Sequence, residues 1–200
     1  MADWASLFDL LTDEEVMVMI AIARKKYNAK LKSEQVVFRE VVTKENYEKK
    51  YKKLVALIHN YPSEAKPEDY SLYLSYNPRS VVKAVRLLKN RLADWEFELA
   101  NGQQEEYFRK LRRFDREFIS CLQKPESRSR KLFFLIDIDD AGKLEEVKAL
   151  LDKIGIKPEM IKETKNGYHI LVKPFDLRKW VGMEKVELKR DGVFCIYTVK

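Results

Sequence analysis

An apolar run in this chain ends in two aspartates two residues apart: Phe133-Phe134-Leu135-Ile136-Asp137-Ile138-Asp139. Side chains alternate along an extended strand, so Asp137 and Asp139 project from one face. Two carboxylates a few ångströms apart repel each other unless a cation lies between them. Hard divalent ions, Mg²⁺ or Mn²⁺, take oxygen ligands of this kind. The same acids can instead simply end the strand and cap the helix that follows. His169 lies about thirty residues downstream. It shares a strand face with Leu171 and Lys173, and a histidine beside a lysine on an apolar strand either binds phosphate oxygens or is structural. A third carboxylate would complete a two-metal site of the sort used for nucleotidyl transfer. Glu187, in KVELKR, and Asp191, in the Arg190-Asp191-Gly192 turn, are the candidates. Glu187 is preferred, because a strand holds its side chain more rigidly than a hairpin tip does. Asp191 has a turn role of its own before glycine.

These residues need strands to hold them. Residues 132–139 read as a strand covered on both sides for much of its length. Leu144, Val147, Leu151 and Ile154 fall at helical spacing, and Gly155 ends that helix. Residues 161–172 fold around Asn166-Gly167, the strongest short hairpin signal, and 185–199 form a second hairpin around Asp191-Gly192. Upstream, 69–76 alternates as a strand, Asn77-Pro78 turns the chain, and Ser80 caps a helix over 81–98. That helix places Val82, Val85, Leu88, Leu92 and Trp95 on one face. Residues 33–42 read as a strand and 45–59 as a helix stopped by Tyr61-Pro62. Thr12 and Glu15 match a capping box, which makes the apolar run that follows, to about Lys26, a buried helix.

The stretch 101–131 differs in composition. From Phe108 to Lys131 there are nine Lys or Arg against three acids. Its first half reads as an amphipathic helix and 124–130 as a mobile polar linker. Arg109, Lys110, Arg112, Arg113 and Arg116 either contact nucleic acid or form a solvated face. The net charge of +7 likewise suits a polyanionic partner or a surface rich in lysine.

Several classes are excluded. No apolar run approaches the roughly 20 residues that span a bilayer, so no membrane partner is expected. The N-terminus lacks the pattern of a signal peptide. With two histidines and two well-separated cysteines, none in a metal-ligand pair, a Cys/His zinc site is not expected, and the thiols suit a reducing cytoplasm.

The pattern as a whole resembles the archaeo-eukaryotic primase (primase–polymerase) superfamily. That family has an apolar strand ending in Asp-x-Asp, here FFLIDID. A small residue, any residue and His follow on a later strand, here Gly167-Tyr168-His169. An apolar residue and Asp come last, where Val186-Glu187 stands here. YSLYLSYNPRS also looks like the aromatic strand ending in Asn-Pro that precedes the first motif. The resemblance covers roughly 70–199. It implies an α+β fold, with a helical or αβ N-terminal module packed on an RRM-like C-terminal sheet. The division would be a mainly helical region 1–68 and a primase-like core 69–200, with the basic helix and linker at 101–131. It implies template-directed nucleotidyl transfer by a primase or primer-extending polymerase. Asp137, Asp139 and Glu187 would hold Mg²⁺ or Mn²⁺. His169, Lys173 and Arg79 would contact the NTP or dNTP, with single-stranded DNA or RNA as template and a helicase or other replication protein as partner. The alternatives are a non-catalytic single-stranded nucleic-acid-binding module and another metal-dependent phosphoryl-transfer enzyme such as a nuclease.

Overall fold

A computed structural model of the chain describes residues 4–60 and 65–198. The protein is a mixed α+β fold with two antiparallel sheets. The elements are β1 (Glu15–Arg24), β2 (Gln35–Val42), α1 (Tyr47–Asn60), β3 (Tyr70–Ser75), β4 (Arg79–Ser80), α2 (Val81–Ala100), α3 (Gln104–Leu111) and α4 (Phe114–Gln123). Then come β5 (Phe134–Ile138), α5 (Leu144–Lys153), β6 (Pro158–Glu163), β7 (Tyr168–Val172), β8 (Val186–Lys189) and β9 (Val193–Thr198). The first sheet runs β2-β1-β3-β9, with β4 against the start of β1; the second runs β6-β7-β5-β8.

The largest departure from the sequence reading is β1, which is a strand and not a buried helix. Between Glu15 and Arg24 its run is apolar at every position because both faces are covered, and such a run carries no period to tell strand from helix. Val16, Val18 and Ile20 pack toward Ala84 and Leu88 of α2 and Leu122 of α4. Met17, Met19 and Ala21 turn the other way, into the core shared with the second sheet. The hydrogen bond expected of a capping box is present, from the Thr12 N–H to the Glu15 carboxylate at 3.1 Å. It precedes a strand, fixed by its pairing with β2 and β3, and Glu15 is also held by Arg130 Nε at 2.8 Å.

The N-terminal region is therefore not mainly helical. β1 pairs with both β2 and β3, so a division between 68 and 69 cuts through one sheet. The final hairpin is also corrected. β8 pairs with β5 in the second sheet, while β9 pairs with β3 in the first. Asp191-Gly192 thus carries the chain from sheet to sheet. Alternation predicts strands but is silent on their partners.

Leu135, Leu171 and Met160 of the second sheet share a core with Met19, Leu72, Leu74 and Phe194 of the first. The opposite face of the second sheet, Phe134, Ile136, Ile138 and Ile170, packs on Val147 and Leu151 of α5. Ser80 caps α2 as expected, accepting from the Lys83 N–H at 3.3 Å. The inward stripe of α2 is Ala84, Leu88 and Trp95, whereas Val82 and Val85 are exposed. The basic stretch forms two helices, α3 and α4, rather than one. Residues 124–130 are fastened and not a loose linker: Ser127 is buried and donates to the Cys121 carbonyl at 2.7 Å, and the Ser129 N–H donates to the Pro78 carbonyl at 2.8 Å. The expected helix stop at Tyr61-Pro62 and the end of the last strand at Val199 lie outside the described residues. Among the described residues no helix is long and apolar enough to cross a membrane.

Candidate functional site

Pairing in the second sheet puts the acid, the histidine and the second acid in one row. Asp137 of β5 lies directly opposite His169 of β7 on one side and Glu187 of β8 on the other. Residues directly opposite in an antiparallel pair share a face, so all three side chains leave the sheet on the side of the first sheet. Gly167 makes the approach of β7 possible: a Cβ there would lie 1.9 Å from the Ile138 carbonyl oxygen. The turn before it is closed by the Thr164 N–H donating to the Gly167 carbonyl at 2.8 Å.

The hydrogen bonds at this row fix each group. The Cys195 backbone N–H donates to His169 Nδ1 at 2.9 Å. A ring nitrogen that accepts carries no proton, so the neutral imidazole holds its proton on Nε2. Nε2 faces Asp137 Oδ1 at 3.2 Å. The other oxygen, Oδ2, accepts from the Lys189 ammonium at 2.6 Å, and the same ammonium lies 3.1 Å from Glu187. Burial alone would raise the pKa of Asp137, but the hydrogen bonds from His169 and Lys189 outweigh it and hold the carboxyl at about 2. Lys189 is loaded in the complementary sense. Burial works against its charge, and the bond to Asp137 more than offsets that and raises its pKa.

The row opens on a cleft of about 120 Å³ between the two sheets. Asp137, Asp139, His169 and Lys189 line it from the second sheet; Arg24, Lys26, Tyr27 and Tyr73 line it from the first. The Arg24 guanidinium stands 5.9 Å from the centre of the Tyr73 ring, and Lys26 Nζ 4.8 Å from that of Tyr27. Lys165, in the β6–β7 turn, also borders the cleft, and its ammonium donates to the carbonyls of Glu68 and Asp69 at 2.8 and 2.7 Å. Those bonds fasten the hairpin of the second sheet to the turn that leads into β3 of the first. Cations, two phenol rings and an ionised acid thus meet in one hollow, the surroundings that suit a phosphate-bearing aromatic ligand.

The structure brings together Asp137, Asp139, His169 and, at the rim, Glu187. Asp139 is exposed, and its backbone N–H donates to the Lys185 carbonyl at 2.9 Å. Among the described residues no three His, Cys, Asp or Glu side chains stand together as a ready metal cage. The donor chemistry nevertheless fits a hard divalent ion, since Asp137 is held ionised and shares the cleft with Asp139. The Lys189 ammonium lies between Asp137 and Glu187 and pairs with both.

Two expected ligand contacts are corrected. Arg79 is 2 % exposed and makes a two-pronged pair with Asp191 at 2.8 and 2.9 Å, with a further bond to the Lys124 carbonyl. It is walled off from any phosphate, and Asp191, the other candidate third acid, is engaged by it. Lys173 shares a strand face with His169 but lies four residues along, roughly 13 Å at strand rise. Its ammonium sits 4.5 Å from the centre of the Phe133 ring, in a separate hollow with Leu7 and Met160. The five basic residues are not at the cleft. Arg109 pairs with Glu106 and Lys110 with Glu98, each at 2.6 Å, while Arg112, Arg113 and Arg116 are exposed around the break between α3 and α4.

Lys189, Arg24, Lys26, Lys165 and the Cys195 N–H were missed by sequence reasoning. For Lys189 a signal existed: Glu187-Leu188-Lys189 on a strand puts both charges on the face that Asp137 uses. The first-sheet residues carried none, because only the packing of the sheets makes them neighbours. Compared with protein-family models, with curated proteins and with solved structures, the chain matches none.

Proposed function

We propose that the inter-sheet cleft binds a nucleoside triphosphate and that the chain performs metal-dependent, template-directed nucleotidyl transfer, as a primase or primer-extending polymerase. The observation that carries this reading is the convergence of Asp137 and His169, paired across β5 and β7, and of Asp139 just past the end of β5, on one cleft opposite a wall of Arg24 and Lys26. In this reading the second sheet with α5 is the RRM-like part of a primase-like fold, and the first sheet with its helices is the N-terminal module. Asp137 and Asp139, with Glu187 as the third carboxylate, would hold Mg²⁺ or Mn²⁺, which when bound polarises phosphoryl oxygen and neutralises its charge. Arg24 and Lys26 neutralise the triphosphate from the other side of the cleft. Tyr27 and Tyr73 offer π-faces for a base or sugar. With both ring nitrogens engaged, His169 acts on the triphosphate through Asp137, whose carboxylate it aims and keeps ionised. Arg112, Arg113 and Arg116 form the surface offered to a single-stranded DNA or RNA template. A cytoplasmic setting and a helicase or other replication protein as partner belong to the same reading.

Primer extension on a single-stranded template with Mn²⁺ and NTPs or dNTPs tests it. Asp137→Ala and Asp139→Ala each abolish incorporation while circular dichroism shows a folded chain; incorporation that survives both ends the reading. The engagement of Asp137 by Lys189 favours a second reading, a non-catalytic module that binds single-stranded nucleic acid without metal. Its signature is a steep salt dependence that Arg112→Ala and Arg113→Ala each reduce by about one unit of slope, with or without Mn²⁺. Degradation of DNA by Mn²⁺ and protein alone would instead indicate a nuclease.

A further inference from the structure

We infer that Lys189 is a resident counter-cation of the cleft that competes with a divalent ion for Asp137, so that metal loads only when this ammonium leaves. The inference rests on the proposed metal-dependent reading of the same cleft and adds to it the residue that sets metal affinity.

The two oxygens of Asp137 are held in different ways. Oδ1 faces His169 Nε2, and that ring is itself anchored by the Cys195 backbone N–H. His169 is 7 % exposed, so this side of the carboxylate is fixed by the packing of two sheets. Oδ2 accepts from Lys189, a side chain that remains one-third exposed, 33 %. Its four-carbon stem can carry the ammonium out to water at small cost. Lys189 is also placed by the pleat. It is two residues from Glu187 on β8, so the strand that supplies the rim carboxylate supplies the cation as well. The ammonium lies within 3.1 Å of both carboxylates, the region a bridging divalent ion needs. A single positive charge and a divalent ion cannot occupy that region together, because at about 4 Å they repel strongly in a partly buried site. Lys189 therefore keeps the acids compatible with one another when no ion is bound, and weakens the metal by the work of its own displacement.

Mn²⁺ binding to the full chain, measured by titration calorimetry and by the electron paramagnetic resonance of free Mn²⁺, tests this without any assay of turnover. Lys189→Met is expected to bind Mn²⁺ about tenfold more tightly than the unmodified chain, or better. Lys189→Arg, which keeps the charge, stays with the unmodified chain. Lys189→Gln shows the same gain as the methionine variant and serves if that variant does not fold. Adding Asp137→Asn to Lys189→Met removes the gain. Equal Mn²⁺ affinity in the unmodified chain and in Lys189→Met overturns the inference; if that affinity still falls with Asp137→Asn, the metal reading of the cleft stands without it. An equal gain in Lys189→Arg also overturns it, since charge would not be the cause. No Mn²⁺ binding by any variant at millimolar ion overturns the inference and the metal-dependent reading together.

Discussion

Arg79–Asp191 and Lys189–Asp137 are both cation–carboxylate pairs, and they stand in opposite surroundings. Arg79 is 2 % exposed, meets its partner with two parallel hydrogen bonds, and ties β4 to the segment that crosses between the sheets. Lys189 meets Asp137 through one bond at 2.6 Å on the wall of an open cleft. A buried planar fork held by two parallel bonds is a clamp, whereas a flexible stem with one contact and an exit to water is a displaceable ligand. The difference shows why residue type alone misassigns arginines beside a site: what matters is whether solvent can reach the charge.

Substitutions can break this contrast, beginning with the clamp. Arg79→Met leaves Asp191 without its partner in a largely closed site and is expected to destabilise the fold by about 3–5 kcal/mol in urea denaturation. A loss below about 1 kcal/mol would mean that Arg79 does not clamp the sheets. The acid limb of stability tests Asp137. Its carboxyl lies at about 2 in the folded chain against an ordinary 3.8, so its contribution is present above about pH 4 and is lost as pH falls from there toward 2. That contribution is about 2 kcal/mol, and Asp137→Asn removes the corresponding slope from a pH series of denaturation midpoints. An unchanged slope would detach His169 and Lys189 from the ionisation of Asp137. The smallest effect belongs to Lys189→Met, expected to change stability by no more than about 1 kcal/mol because the lysine side of the pair reaches solvent and His169 still holds Asp137. A loss as large as that of Arg79→Met would make Lys189 a clamp too and would erase the contrast.

Local pattern exposed part of this molecule directly. The strand that carries Asp137, the Asn166-Gly167 turn, the Ser80 cap and the helix ended by Gly155 are decided by neighbours a few residues away, so they were legible, although the strand stops at Ile138, one residue short of Asp139. β1 was not, because a strand covered on both faces has the same apolar run as a buried helix. The pairing of β8 and β9 with different sheets was not legible either, since the Asp191-Gly192 turn specifies a reversal and not the strands it joins.

The sequence by itself determined which residues can carry charge toward one side of β5, because the period of a strand is fixed by backbone geometry. Only the tertiary structure decided that Arg24, Lys26 and the Cys195 N–H face that side, that Arg79 is sealed behind Asp191, and that Lys189 rests on Asp137. The physical reason is range: strand alternation is a property of adjacent peptides, whereas solvent access and charge partnership depend on the packing of two sheets whose strands are far apart in the chain.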